Sequence, residues 1–191
     1  MLKHDLKRSY SLTPGKPLRR IYECYRAPGT QAVIAFRFAQ WLRTQAFVLR
    51  FLLKPVSAFM GYLVRLKWGI VLAPEAQIGK GLHIFHFGGI FVGEQVIIGE
   101  NCSLSHDVTI GLSGEGTRRG APTIGDNVYI APGANISGRI RVGSNVKIGA
   151  NAVVGRDVPD NALVQVPPMR VVTFPTFYGS QSPPADEQTG D

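Results

Sequence analysis

Two histidines stand at matching places in a six-residue rhythm. His86 is the third residue of a unit opening on Ile84, and His106 is the third residue of a unit opening on Leu104. A neutral imidazole titrates near pH 6.5 and can take a proton from a hydroxyl at neutral pH. A pair at equivalent places is therefore a candidate acid–base site, although two turn histidines without a role would look the same at this level. Asp107 and Glu94 lie close in sequence, and either could fix the tautomer of His86. Arg118 and Arg119 occupy a loop where they could meet phosphates or an acidic sugar, or simply form a solvated basic loop. Cys102 falls inside a unit and reads as a small buried residue. Cys24 and Cys102 give no disulfide framework, which fits a reduced, cytoplasmic setting.

The rhythm specifies what must position these groups. An apolar residue opens each unit at Ile78, Ile84, Ile90, Ile98, Leu104, Ile110, Ile124, Ile130, Ile136, Val142, Ile148 and Val154. Seven of these twelve are followed by glycine, which suits a passage from strand to corner. Asn127, Asn145 and Asn151 fall where corners need residues tolerant of left-handed backbone. The pattern resembles the hexapeptide repeats of a parallel β-helix, in which three units make one triangular coil. Units at 84, 104, 130 and 148 then share one face, those at 90, 110, 136 and 154 a second, and those at 78, 98, 124 and 142 a third. Two excursions preserve the register, a two-residue insertion near 92–97 and a loop within 112–123. On this indexing His86, His106, Pro132 and Ala150 form one outward ridge, two imidazoles followed by small or flat residues.

The fold class expected is mainly β, a left-handed parallel β-helix with an N-terminal α-helical segment. Three parts follow: 1–69 a basic helical segment, 70–179 the β-helix domain with a strand or extension at 167–179, and 180–191 a disordered tail. Residues 1–29 read as mostly irregular, with a turn of helix near Arg19–Tyr25. Thr30 reads as a helix N-cap, and Pro55 should split the helical stretch into 31–53 and 56–67. No signal peptide is read at the N-terminus.

The net charge of +8 belongs to the N-terminal part: residues 1–80 hold 14 Lys/Arg against Asp5, Glu23 and Glu75, whereas residues 81–191 hold seven against ten acids. Such asymmetry points to an anionic partner, nucleic acid or a membrane surface. No recognition motif supports nucleic acid. The longest uncharged stretch within the two helices, 55–64, is ten residues, against about 20 needed to span a bilayer. Residues 30–67 therefore read either as a peripheral contact with the cytoplasmic membrane face or as helices packed within the protein.

The segment His86-Phe87-Gly88-Gly89-Ile90-Phe91-Val92-Gly93-Glu94 resembles the His-x-x-Gly-Ile-x-x-Gly-Glu segment of serine O-acetyltransferases. Val108–Gly111, Ala121–Val128, Ile148–Val154, Asp157–Asn161 and Val166–Pro168 continue the match. The resemblance implies an acetyl-CoA-dependent acyltransferase of the hexapeptide-repeat superfamily, active as a homotrimer with acetyl-CoA in the groove between copies and no metal. It makes His86 the general base, sets Gly111 near the thioester, and sets Pro132, Lys147 and Ala150 along the CoA groove. His106 would bind the acceptor or act as a second base.

Three departures from that family bear on the acceptor. Phe85 and Val71 stand where its members carry aspartates, and Ala121 stands where they carry a second histidine. A charged amino acid needs polar partners, so a hydroxyl of a sugar or polysaccharide intermediate is the expected acceptor. The alternatives are serine O-acetylation in cysteine biosynthesis and a non-catalytic β-helix scaffold. A zinc site would need His83, His86 and His106 to converge.

Overall fold

The structure is a computed structural model that describes residues 1–116 and 119–167. From Ile70 to Val164 the chain winds into a left-handed parallel β-helix of about five coils. One face is a sheet of β3 (His83–Ile84), β6 (Ser103–Leu104), β9 (Tyr129–Ile130), β12 (Lys147–Ile148) and β14 (Leu163–Val164). The second comprises β1 (Ile70–Leu72), β4 (Ile90–Val92), β7 (Thr109–Gly111), β10 (Asn135–Ser137) and β13 (Val153–Val154). The third comprises β2 (Gln77–Ile78), β5 (Ile97–Ile98), β8 (Thr123–Ile124) and β11 (Arg141–Val142). The faces are those the six-residue indexing assigns: Ile84 pairs with Leu104, Leu104 with Ile130 and Ile130 with Ile148.

The unit-opening residues fill the interior, with Ile98, Leu104, Ile110, Ile130 and Ile148 almost wholly buried. Each buried Ile or Val contributes about 1.5–3 kcal/mol. A second inward residue, two places earlier, joins them: Leu82, Val96, Cys102, Val108, Val128 and Val146 are also buried. The corner asparagines are as expected, with Asn127, Asn145 and Asn151 at φ 56, 58 and 58°. Asn127 donates to Asn145 (3.1 Å), and Asn145 to Asn161 (3.0 Å). Five of the glycines after the inward residues, Gly79, Gly99, Gly125, Gly143 and Gly149, serve close approach between coils, not an unusual φ. A Cβ at Gly79 would lie 2.6 Å from the carbonyl oxygen of Gly99 in the next coil.

The N-terminal part departs from expectation. Residues 1–29 are largely helical, with α1 at Leu2–Leu12 and α2 at Pro17–Arg26. The next helix, α3, is Pro28–Arg43 with Ala27 as N-cap, so Thr30 is a buried residue inside it. Proline at the first helical position costs no hydrogen bond and sets that start. The break falls at residues 44–46, where the Thr44 N–H turns back to Trp41 O. Pro55 lies inside a continuous α4, Phe47–Trp68. It sits on the exposed side of that helix, where water can satisfy the carbonyl its missing N–H leaves free. Gly69 (φ 60°) caps α4 and passes the chain into β1. The expected strand at 167–179 and the disordered tail at 180–191 lie essentially outside the described residues.

A buried ion pair joins α1 and α3 to the first coil. Asp5 accepts from Arg37 Nε (2.8 Å) and from the N–H groups of Gly81 (2.6 Å) and Leu82 (2.9 Å). Arg37 also donates to the carbonyls of Ile78 (2.8 Å) and Gly79 (2.5 Å). Together they satisfy backbone groups that the first coil has no earlier coil to pair with.

Candidate active site

The register sets His86, His106, Pro132 and Ala150 at equivalent places on four successive coils, two residues beyond Ile84, Leu104, Ile130 and Ile148. The His86 and His106 rings face one another at 5.5 Å between centroids, with planes at 78°. His86 is exposed and His106 half-buried, so both rings can reach a ligand. Ala150 is exposed and Pro132 half-buried, leaving the rest of the ridge low and smooth. Lys147 projects from the first face between Tyr129 and Leu163 of the neighbouring coils.

The surroundings of His86 are aromatic. Phe85 lies 6.4 Å from its ring and packs edge-on against Tyr129 at 6.0 Å. Phe87 packs edge-on against Trp68 at 5.3 Å. Trp68 is held by Gln31, which accepts its indole N–H at 3.1 Å, and the Trp68 carbonyl accepts the Gly88 N–H at 2.8 Å. The end of α4 thus supports the corner that carries His86.

The His86 ring meets Phe85 and His106, and no hydrogen bond joins it to either expected carboxylate. Asp107 is a corner residue at φ 53°, and its carboxylate fills the space beside Gly89, where a Cβ would meet Oδ1 at 2.0 Å. Glu94 is exposed in the turn after β4. Gly111 ends β7 and His86 precedes β4, so within one chain the two lie at opposite ends of the second face. Arg119 is exposed in the excursion loop, which is pinched by paired hydrogen bonds between Ser113 and Gly120. Arg118 lies outside the described residues.

His83 belongs to the scaffold. Its Nδ1 is 3.1 Å from Ser9 Oγ, and its ring packs edge-on against Phe85 at 4.5 Å. Burial first, and the nearby Arg8 guanidinium second, push it from the ordinary 6.5 down to about 4. Arg8 reaches past it to donate to the Cys102 carbonyl (2.7 Å) and Ser103 Oγ (2.9 Å). Cys102 is buried, and burial pushes its thiol up to about 11, so it is a protonated core residue rather than a nucleophile.

Trp68, Gln31 and Tyr129 are parts of the site that no motif marks. Tyr129 was reachable by indexing, since it stands in the outward column of His83 and Ser103. Trp68 and Gln31 meet only because α3 and α4 fold back on the first coil.

Comparison with known proteins gives a consistent picture. Residues 121–156 match the family described as bacterial transferase hexapeptide (six repeats). A serine acetyltransferase of Mycobacterium tuberculosis is 34% identical over 172 residues, covering 90% of this chain and 72% of that protein. One from Synechococcus elongatus is 38% identical over 149 residues, covering 78% of this chain and 58% of that protein. The crystal structure of Neisseria gonorrhoeae serine acetyltransferase in complex with serine superposes with a TM-score of 0.70 at 35% identity, covering 87% of this chain and 66% of that one. This chain therefore spans between about three-fifths and three-quarters of the length of these relatives.

Proposed function

Because the chain belongs to the serine acetyltransferase family, we propose that it transfers the acetyl group of acetyl-CoA to an acceptor hydroxyl, with His86 as general base. The observation that carries this reading is the facing His86–His106 pair at the head of an otherwise smooth ridge. Neutral His86 takes the hydroxyl proton as the oxygen attacks the thioester carbonyl. The C–S bond breaks, the ester forms, and the proton passes from His86 to the departing CoA sulfur. His106 is the second polar contact for the acceptor. Pro132, Ala150 and Lys147 line the approach of the donor. A backbone N–H near Gly111 would meet the oxyanion, an interaction worth roughly 2.7–4 kcal/mol in other enzymes. Since His86 and Gly111 are separated within one chain, a homotrimer with the donor groove between copies is part of the reading.

The acceptor we propose first is L-serine. The relatives are named for it. This reverses the ranking drawn from Phe85, Val71 and Ala121 alone. One observation keeps an uncharged sugar hydroxyl as the second reading: the corner that carries His86 is aromatic, with Phe85 packed on Tyr129 and Phe87 on Trp68, and the Asp107 carboxylate stands beside Gly89. The test incubates the protein with acetyl-CoA and either L-serine or a panel of glycosides and measures thiol release. His86→Ala should lower kcat by about 10²–10⁴ with the assembly unchanged. Unaltered turnover in that variant rejects the base, and turnover on glycosides alone rejects serine.

A further inference from the structure

We propose that α4 is a membrane-docking helix that lies flat on an anionic lipid surface. Its inward stripe, Leu53, Ser57, Met60, Val64 and Trp68, is only half-buried, and no residue of the helix is fully buried. The opposite side carries Val48, Phe51, Leu52, Val56, Phe59 and Leu66, between 48% and 69% exposed. At 100° per residue these six fall within about two-fifths of the helix circumference. Lys54 and Arg65 run beside them on one flank and Lys67 on the other, while Arg50 stands at the angle of Trp68, over the groove towards α3. Among the described residues, no acid lies between Glu23 and Glu75, and Glu75 is itself engaged by Arg43.

The charge pattern selects the occupant. A second copy seated helix against helix would bring these cations together with no acid on either helix to offset them. A bilayer carrying anionic headgroups offers apolar depth for the aromatic and aliphatic side chains and phosphates for the cations. Arg50, Lys54 and Arg65 also line a groove of about 850 Å³ between α4, α3 and β1, floored by Ala35, Ala39 and Gly61 and open to a headgroup.

The helix is long and apolar enough to cross a membrane, but its surroundings favour the surface. Cations stand in both its first and last turns, and at Gly69 it passes directly into the β-helix. Docking would hold the His86 corner, joined to the inward side of α4 through Trp68 and Phe87, about one helix diameter, roughly 10 Å, from the lipid. The proposal does not depend on which hydroxyl is acetylated.

The experiment is sedimentation of the whole protein with phosphatidylcholine vesicles, with and without phosphatidylglycerol. Binding is expected only to the anionic vesicles, with release in about 1 M salt, where screening falls to about 3 Å. One Lys or Arg near such a surface is worth about 1 kcal/mol, or fivefold. Lys54→Gln with Arg65→Gln should therefore weaken binding about 25-fold. Phe51→Ser with Leu66→Ser should weaken it at least tenfold, and both pairs are exposed enough to leave circular dichroism unchanged. No binding to anionic vesicles, binding that survives high salt, or binding unmoved by either pair overturns the proposal. So does a serine pair that breaks the native assembly apart, which would make this face an interface between copies.

Discussion

Removing the Asp5 carboxylate tests how the β-helix is closed at its N-terminal end. Asp5 is about 1% exposed and accepts from Arg37, Gly81 and Leu82. In Asp5→Ala the Arg37 guanidinium keeps its carbonyl partners at Ile78 and Gly79 but loses its counter-charge. Breaking a buried pair from one side costs about 3–5 kcal/mol. Two N–H groups lose their acceptor as well, at about 1–3 kcal/mol each where water cannot reach them. These costs overlap, so the expected loss is at least about 4 kcal/mol, a large share of the roughly 5–15 kcal/mol that holds an ordinary domain together. Urea unfolding followed by circular dichroism reads it. Asp5→Ala combined with Arg37→Met should cost less than the two single changes added, because the orphaned charge is gone. A loss under about 1 kcal/mol for Asp5→Ala, or strict additivity in the double variant, would refute the view that this pair closes the first coil.

Three further outcomes follow from the same geometry. Gly29→Ala should destabilise by about 1–3 kcal/mol, since its Cβ would lie 2.3 Å from the Ile84 carbonyl oxygen; an unchanged melting temperature would mean that α3 can stand further from β3. His83 favours its neutral form in the fold, with its pKa lowered from 6.5 to about 4. The unfolded chain therefore binds the proton first: this contribution is intact above about pH 6.5 and lost as pH falls towards 4. It amounts to at most about 3.4 kcal/mol at 1.36 kcal/mol per unit, and less for a partly exposed ring. Urea titrations at pH 7 and 4.5 should differ by more in the wild type than in His83→Asn, and equal differences would contradict the assignment. Ile130→Ala, at a fully buried position, should cost about 2–5 kcal/mol by the same unfolding measurement, and a loss under about 1 kcal/mol would mean the coil collapses around the gap.

The faces of the β-helix, the ridge of His86, His106, Pro132 and Ala150, and the corner asparagines were all legible from residue numbers. Each coil repeats the previous one through parallel pairing, so sequence spacing converts directly into spatial place. The same logic found the imidazole pair but not its setting. Asp107 was near His86 in number, yet its left-handed backbone commits its carboxylate to the corner beside Gly89. The N-terminal segment has no repeat to index it. Its helices are set by contacts across long separations, such as Arg37 with Asp5 at 32 residues and Leu82 with Asp5 at 77. Pro55 remains inside α4 because that side faces solvent, a fact absent from local propensity. A periodic backbone ladder writes itself into the sequence. Which helix closes the end of that ladder, and what surrounds the base, is decided by packing between segments that carry no shared period.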